Sequence, residues 1–444
     1  VFSLILIEHS ILLCLVALIG YWLWQRHQER LKKLWDAAKE AARIPRPWKA
    51  KSPADCPACQ AGLQLAIRPI KRDVKPWSAC KSSRGRKKRI STQGQACPVP
   101  DCDYFGITDE SIHALVGNGK RGKRKDIQTL KCQCCRSSFS TRLNTPLYHL
   151  KTHPDRVEMC LWLLAEGMDL SVMVRFTGHV DATLSRWLTR AGLHSENLHS
   201  LLFVQLDVDY LQLDELFAPV AGNKRKSWLW VAIEPVTKII PTVHLGGRKK
   251  EDAYHFVHHL KLSLAEGCIP AVTSDGLRAY FFAITAHFGE WIGGTWVVSN
   301  LLAYGQLVKR RNKKKGDGKP YTITRMKCGK RWQLFQTLRE QGFRETIQTA
   351  FIERVNLTIR QGIAPLSRRT WSLSKSQESL LLHVHWWRAF YHLARPHQSL
   401  RIGVPGLKRR YRKRTPAMAA GLTDHIWTVG ELLSFPLVFE GGAC

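Results

Sequence analysis

Leu211-Gln212-Leu213-Asp214, Trp228-Leu229-Trp230-Val231-Ala232-Ile233 and Ala271-Val272-Thr273-Ser274-Asp275 are the three runs that decide how this chain folds. The first alternates apolar and polar residues, as a half-buried strand does. The second, with Lys238 to Leu245 after the turn Glu234-Pro235-Val236-Thr237, reads as a hairpin of two strands. The third is a short run of buried-strand type closed by Gly276. Ala253 to Leu264 and Leu277 to Phe288 have helical spacing. Three strands, a helix, a strand and a helix predict an α/β core over 203 to about 295.

Asp214 and Asp275 each end a strand of this core. Glu353 opens a later helical run, and Asn356 and Arg360 share its face at i+3 and i+7. Carboxylates from two adjacent strands and one helix can hold two magnesium ions ~3.5–4 Å apart, one beside the attacking oxygen of a phosphodiester reaction and one beside the leaving 3′ oxygen. Asp207, Asp209 and Glu215 compete with Asp214, with Asp209 ranked second. Acids at strand ends that simply face solvent are the other reading.

The rest of the chain suits a polyanion partner. It has 444 residues, enough for two to four domains, and 44% are hydrophobic, which excludes a disordered or collagen-like chain. Sixty-eight Lys and Arg against 35 Asp and Glu give a net charge of +33, which points to nucleic acid or an anionic membrane face. The 13 cysteines are odd in number and tightly clustered, as in zinc knuckles of a reducing compartment rather than a disulfide scaffold. Cys97-x4-Cys102 and Cys132-x2-Cys135 form a two-plus-two set suited to one tetrahedral structural zinc ion, with Cys134 a substitute ligand. The intervening 29 residues suit a hairpin whose basic tip, Lys120 to Lys125, brings Lys123 and Arg124 to DNA phosphates. Cys56-x2-Cys59 with Cys80 is a weaker set without an obvious fourth ligand, and free thiols explain it as well.

Six regions follow. Residues 1–25 are apolar and long enough to span a bilayer if Glu8 lies at an interface, with Arg26, Arg30, Lys32 and Lys33 then facing the cytoplasm; a start site set too early is the alternative. Residues 26–95 are a charged helix and a basic linker, and 96–150 the zinc ribbon. Residues 151–200 read as a helix-turn-helix. In it Asp181 caps the second helix, Leu184, Trp187 and Leu188 face inward, and Thr183, Arg186 and Arg190 face a DNA groove; an ordinary helical hairpin is the plain alternative. Residues 203–400 hold the catalytic domain, broken at about 293–345 by a mobile basic insertion that carries Arg310 and Arg311, and 401–444 form a basic tail.

At these residues the chain resembles DDE transposases of bacterial insertion sequences, nearest to the IS-one type. The resemblance runs from Cys97 to Arg401. Lys131 to Cys135, Phe139-Ser140 and Thr145 to Tyr148 resemble the family's zinc ribbon and its exit. Leu213-Asp214-Glu215-Leu216, Ser274-Asp275-Gly276 and Ile352 to Arg360 resemble the three acidic motifs in order, with Arg368-Arg369-Thr370 and Ser374-Lys375-Ser376 after the third. Tyr391 to His397 is similar to a segment of many integrases. The resemblance implies an RNase H-like catalytic core and magnesium-dependent cleavage and strand transfer. It further implies double-stranded DNA, as transposon ends and target, for a substrate, and a homo-oligomer assembled on it. Asp214, Asp275 and Glu353 become the catalytic triad, with Asn356 and Arg360 positioning DNA or a carboxylate. The 78-residue spacing from Asp275 to Glu353 and the apolar N-terminus depart from the pattern. The expected location is the cytoplasm, at the nucleoid, with a membrane contact through residues 1–24 left open. A non-catalytic or domesticated DNA-binding regulator and a membrane-tethered DNA- or lipid-binding protein are the readings from other classes.

Overall fold

The computed structural model describes residues 51–61, 74–77, 90–122, 127–222, 226–311, 320–404 and 410–437, all belonging to one unit, Lys51–Cys444. The apolar segment 1–25 therefore lies outside the described residues. Among the described residues no helix is long and apolar enough to cross a membrane.

A 3-10 turn, Pro53–Asp55, and the short helix α1 (Pro57–Gln60) come first. Strands β1 (Leu115–Arg121), β2 (Ile127–Cys132) and β3 (Ser138–Ser140) then form a three-stranded antiparallel sheet. Its small core joins Leu115 and Leu130 to Tyr104 and Phe105, and Val74, Trp77 and Ile90 pack against it. Part of the expected linker thus belongs to this module: Trp77 Nε1 donates to Gln133 Oε1 at 2.9 Å and Tyr104 donates to the carbonyl of Lys75 at 3.0 Å. Isolated apolar residues in a basic stretch carry no period, so their burial left no sequence signal.

Three helices follow, α2 (Pro154–Ala165), α3 (Leu170–Thr177) and α4 (Asp181–Leu202). Asp169 caps α3 by accepting from the amide of Val172 at 2.8 Å, and Gly178 ends it in the left-handed conformation. The cap of α4 is Val180 rather than Asp181. Asp181 is the first helical residue, where the helix dipole favours a carboxylate, and it pairs with Lys375 at 3.0 Å. Leu184, Trp187 and Leu188 are buried, as their spacing predicts.

The main sheet is built from β4 (Tyr210–Phe217), β5 (Trp228–Ile233), β6 (Val243–Gly246), β7 (Ala271–Asp275), β10 (Tyr304–Arg311) and β11 (Pro320–Cys328); a separate hairpin, β8 (Gly289–Ile292) and β9 (Thr295–Val298), precedes β10. The strand order is β11-β10-β7-β4-β5-β6. β7 runs parallel to both β4 and β10, and the remaining pairs are antiparallel. Two expectations change. β6 starts at Val243 instead of Lys238, because the Ile240 amide is taken by His392 Nε2 at 2.9 Å and Pro241 has no amide proton. Residues 305–345 do not interrupt the domain as a basic insertion: β10 is an inner strand, with Leu302, Ala303 and Tyr304 buried. The charge of Lys309 to Lys315 masks a strand whose far end runs past β7 and pairs with β11 alone.

Helices cover both faces. Trp230 meets Phe256 of α5 (Lys250–Ser263) and Tyr280 of α6 (Arg278–His287). On the opposite face Leu229, Val231 and Ile233 pack with Ile352, Val355 and Ile359, and with Leu380, Val384 and Trp387. Burial on both faces explains why β5 reads as a continuous apolar run. Beside β10, α7 (Arg331–Glu340) contributes Leu334 and Leu338 to a second cluster with Tyr210. Helix α8 (Ala350–Gly362) carries the first three of those partners and α9 (Gln377–Ala389) the rest.

The helical module is not separate from this core. α4 lies along α9, where a Cβ on Gly192 would come 2.5 Å from the carbonyl oxygen of Leu382. Gly167, at φ +92°, lets the α2–α3 turn press on the carbonyl of Gln361 in α8. The expected tail also folds back: α10 (Pro416–Ala419) and α11 (Val429–Ser434) dock on the core, with α11 against α2 and the Trp427 amide donating to Leu393 at 3.0 Å.

The α4–α9 seam is polar, burying His194, His199, His383, His385 and Arg388, with His392 buried in the turn just after α9. Burial lowers His194 and His383 to about 4 each. Both are neutral in the folded chain, while an unfolded histidine titrates near ~6.5. The unfolded state therefore binds more protons between these values. Stability should be fully present above pH ~6.5 and fall steadily as pH drops toward ~4, read as the urea midpoint at each pH.

Candidate functional site

Leu213 and Ser274 are register partners on parallel β4 and β7, so the next residues, Asp214 and Asp275, come side by side. Asp275 ends β7 as expected, but Asp214 does not end its strand: β4 runs on to Phe217, held by pairing with β5 that includes Asp214 opposite Val231. Ligand oxygens of Asp214, Glu215 and Asp275 lie within 4.8 Å of one another and could hold a divalent ion. Burial, then the charge of Asp275, raises Asp214 to about 6. Burial also raises Asp275. These carboxylates are desolvated and repel each other, a potential that a cation relieves.

Adjacent strand residues face opposite ways, so Asp214 and Glu215 reach different helices even though their nearest ligand oxygens stay within 4.8 Å. Asp214 faces α8, where Asn356 Nδ2 donates to its Oδ2 at 2.8 Å. Glu215 faces α6: Tyr280 donates to its Oε2 at 2.9 Å, and Arg248 donates to Oε1 through Nε at 2.8 Å and also through Nη2. Glu215 therefore has its cation already. Asp207 and Asp209 precede β4 at the other end of the sheet and take no part in the cluster.

Glu353 stands in the first turn of α8 but outside that compact group. Its Oε1 accepts from Lys309 Nζ at 2.7 Å and from Thr349 at 3.1 Å. Lys309, from the end of β10, also acts on Asp214 and Asp275 and lowers both, so its ammonium sits where the acids call for positive charge. Gln212 sets the height of Glu353. Buried two residues before Asp214, it accepts from the amides of Phe351 and Ile352 at 3.0 Å each, satisfying the open start of α8. Gln212→Leu leaves these donors without their acceptor and should cost about 2–4 kcal/mol in chemical denaturation. Gln212, Lys309, Arg248 and Tyr280 were not singled out from sequence. A lone polar residue in an apolar strand, as at Gln212, is the one signal that was available.

The expected DNA contacts divide. Arg186 is exposed and Thr183 half-buried on the first turns of α4, beside exposed Arg175, Phe176 and Val180. Arg190 instead donates to the carbonyl of Tyr148 at 2.6 Å, and Arg360 to that of Leu366 at 3.1 Å. Both brace loops. Asn356 is buried against Asp214, to whose carboxylate its amide donates. Arg310 is half-buried on β10, which also carries Arg311. Lys123 and Arg124 lie outside the described residues.

Cys97, Cys102, Cys132 and Cys135 converge, with Sγ atoms 3.6 Å apart for Cys97 and Cys135 and 3.8 Å for Cys102 and Cys132. The thiol of Cys97 and the amides of Cys135 and Cys134 hold Cys132 below the usual thiol range, which favours the thiolate a metal needs. Cys134 turns to Asp103 at 3.9 Å and is not a member of the set. Cys56 and Cys59 meet His258 and His287, while Cys80 lies outside the described residues. Each Cys/His group could hold a metal ion such as zinc. Comparison with protein-family models and with curated proteins finds no match.

Proposed function

We propose that this chain is a transposase-type enzyme that binds the ends of an insertion sequence in double-stranded DNA and cuts and rejoins their phosphodiester bonds with magnesium. The observation that carries the reading is the juxtaposition of Asp214, inside β4, with Asp275, at the end of the neighbouring parallel strand β7, with Glu353 opening the helix beside Asp214. The order β6-β5-β4-β7-β10, three antiparallel strands continued by two parallel ones, supports an RNase H-like core. The α3–Gly178–α4 turn, with Arg186 and Thr183 outward, supports a helix-turn-helix on DNA. Four convergent thiols suit zinc as a structural ion for the ribbon.

The carboxylates of Asp214, Asp275 and Glu353 are hard oxygen donors of the kind magnesium selects. Bound there, magnesium would polarise the phosphate and stabilise the departing 3′ oxygen. Asn356 fixes the carboxylate of Asp214, and Lys309 exchanges Glu353 for a DNA phosphate as the site fills. Arg248 and Tyr280 fix the carboxylate of Glu215. A water oxygen attacks phosphorus at the element's end and the bond to the 3′ oxygen breaks. The freed 3′-hydroxyl then attacks a target phosphate in the same manner. Pairing two ends requires at least a dimer, working at the nucleoid.

One observation favours a second reading, a DNA-binding regulator without catalysis: Lys309 and Arg248 already neutralise Glu353 and Glu215. A plasmid carrying the coding region within its native flanking DNA separates the two. The enzyme reading predicts excised or joined ends in cells, lost with Asp275→Asn. Binding to the flanks with no strand ever cut would leave the regulator.

A further inference from the structure

Residues 51–61 are held on the catalytic domain by very little apolar surface. Only Cys56 and Ala58 of this segment are buried, and its helical pieces are three and four residues long. Hydrogen bonding adds the Lys51 amide to Thr285 Oγ1 at 3.1 Å. Such a segment cannot offset the entropy of its own ordering by burial alone. What it does bring to the core is a Cys-x2-Cys pair. Cys59 Sγ lies 3.2 Å from Nδ1 of His258 on α5 and 3.3 Å from Nε2 of His287 at the end of α6. With Cys56, one ligand atom from each residue falls within 4.8 Å of the others.

We infer that Cys56, Cys59, His258 and His287 bind a second zinc ion, which staples residues 51–61 to helices α5 and α6. Two sulfurs and two imidazole nitrogens from four residues make a closed tetrahedral donor set, the kind that structural zinc takes. The second ring nitrogen of His287 is already committed: Nδ1 lies 2.7 Å from the carbonyl of Ala283, one turn back. That bond places the proton on Nδ1 and leaves Nε2 aimed at Cys59 as a ligand. Cys56 is fully buried and both histidines are nearly so, while Cys59 is half-buried.

The position gives the staple a purpose. α6 begins three residues after Asp275, and its Tyr280 holds Glu215. Metal at His287 anchors the other end of that helix. The segment so fixed also leads, through residues 62–90, to the cysteine ribbon, so the staple ties the approach to the ribbon onto the catalytic domain.

The test is metal content and X-ray absorption of the purified full chain. It does not depend on whether the chain cuts DNA. Two zinc ions per chain are expected from the two Cys/His sets, in an average shell with both sulfur at ~2.3 Å and nitrogen at ~2.0–2.1 Å. Cys132→Ser should keep one zinc with a mixed sulfur–nitrogen shell. Cys59→Ser and His287→Ala should each keep one with sulfur alone, and should speed proteolysis within 51–61. An all-sulfur shell in the unaltered chain would overturn the staple even if the variants failed to fold. So would a His287→Ala chain with unchanged zinc count and shell.

Discussion

Asp275→Asn should lower DNA strand cleavage by about a thousandfold or more, ~4 kcal/mol of activation free energy, with DNA binding kept. The substitution preserves shape and removes charge. Asp275 Oδ1 accepts from the Leu277 amide at 2.9 Å, and an amide oxygen can do the same, so the local fold survives. What is lost is one of two carboxylates that face each other across parallel strands. Asp214→Asn should match it, since Asn356 reaches only one of its oxygens. Glu353→Gln should act on cleavage alike, although Glu353 lies outside the compact acid group and its cation partner is an exposed lysine. Equal cleavage by Asp275→Asn and the unaltered chain would remove the acidic pair from the reaction.

Cys132→Ser should unfold the module around β1–β3 and abolish DNA-end binding, while the main sheet still melts cooperatively. A structural zinc site contributes ~10–16 kcal/mol of apparent binding energy to folding. The apolar core of this module rests on Leu115, Leu130, Tyr104 and Phe105, with Trp77 lying against Tyr104 at 5.6 Å. So small a core needs a metal at the four thiols to hold three short strands if the proposed zinc site is right. Amide exchange should rise sharply at residues 115–140 and stay slow in β4, β5 and β7. Protection unchanged at 115–140 would show that the thiols do not carry the fold there.

The sheet was legible where hydrophobic period and element length agreed. β5, β7, α5 and α6 fall within a residue or a few of their expected ends, because each is a buried run closed by a turn or a glycine. β10 was misread because seven residues of dense positive charge, Lys309 to Lys315, outweigh the short apolar run before them. Asp275 could be placed from a strand end, whereas Asp214, expected at one, lies inside β4, because the strand continues through Glu215, Leu216 and Phe217. The grip of Gln212 on α8, the lysine at Glu353 and the histidines at Cys56 and Cys59 could not. These contacts join residues 139–140, 44 and 199–228 positions apart, and no local pattern encodes them. Arg190 and Arg360 show the converse: a helical wheel turns Arg190 outward and sets Arg360 on the face of Glu353 and Asn356, yet nearby loops take the donors of both.

The most direct measurement is anomalous scattering from crystals of the chain soaked in manganese, a stand-in for magnesium. Metal where β4 meets the end of β7, bridging Asp214 and Asp275 with Glu353 swung from Lys309 toward it, is the predicted result. No metal at these carboxylates, with the Lys309–Glu353 pair intact at saturating manganese, would contradict the account.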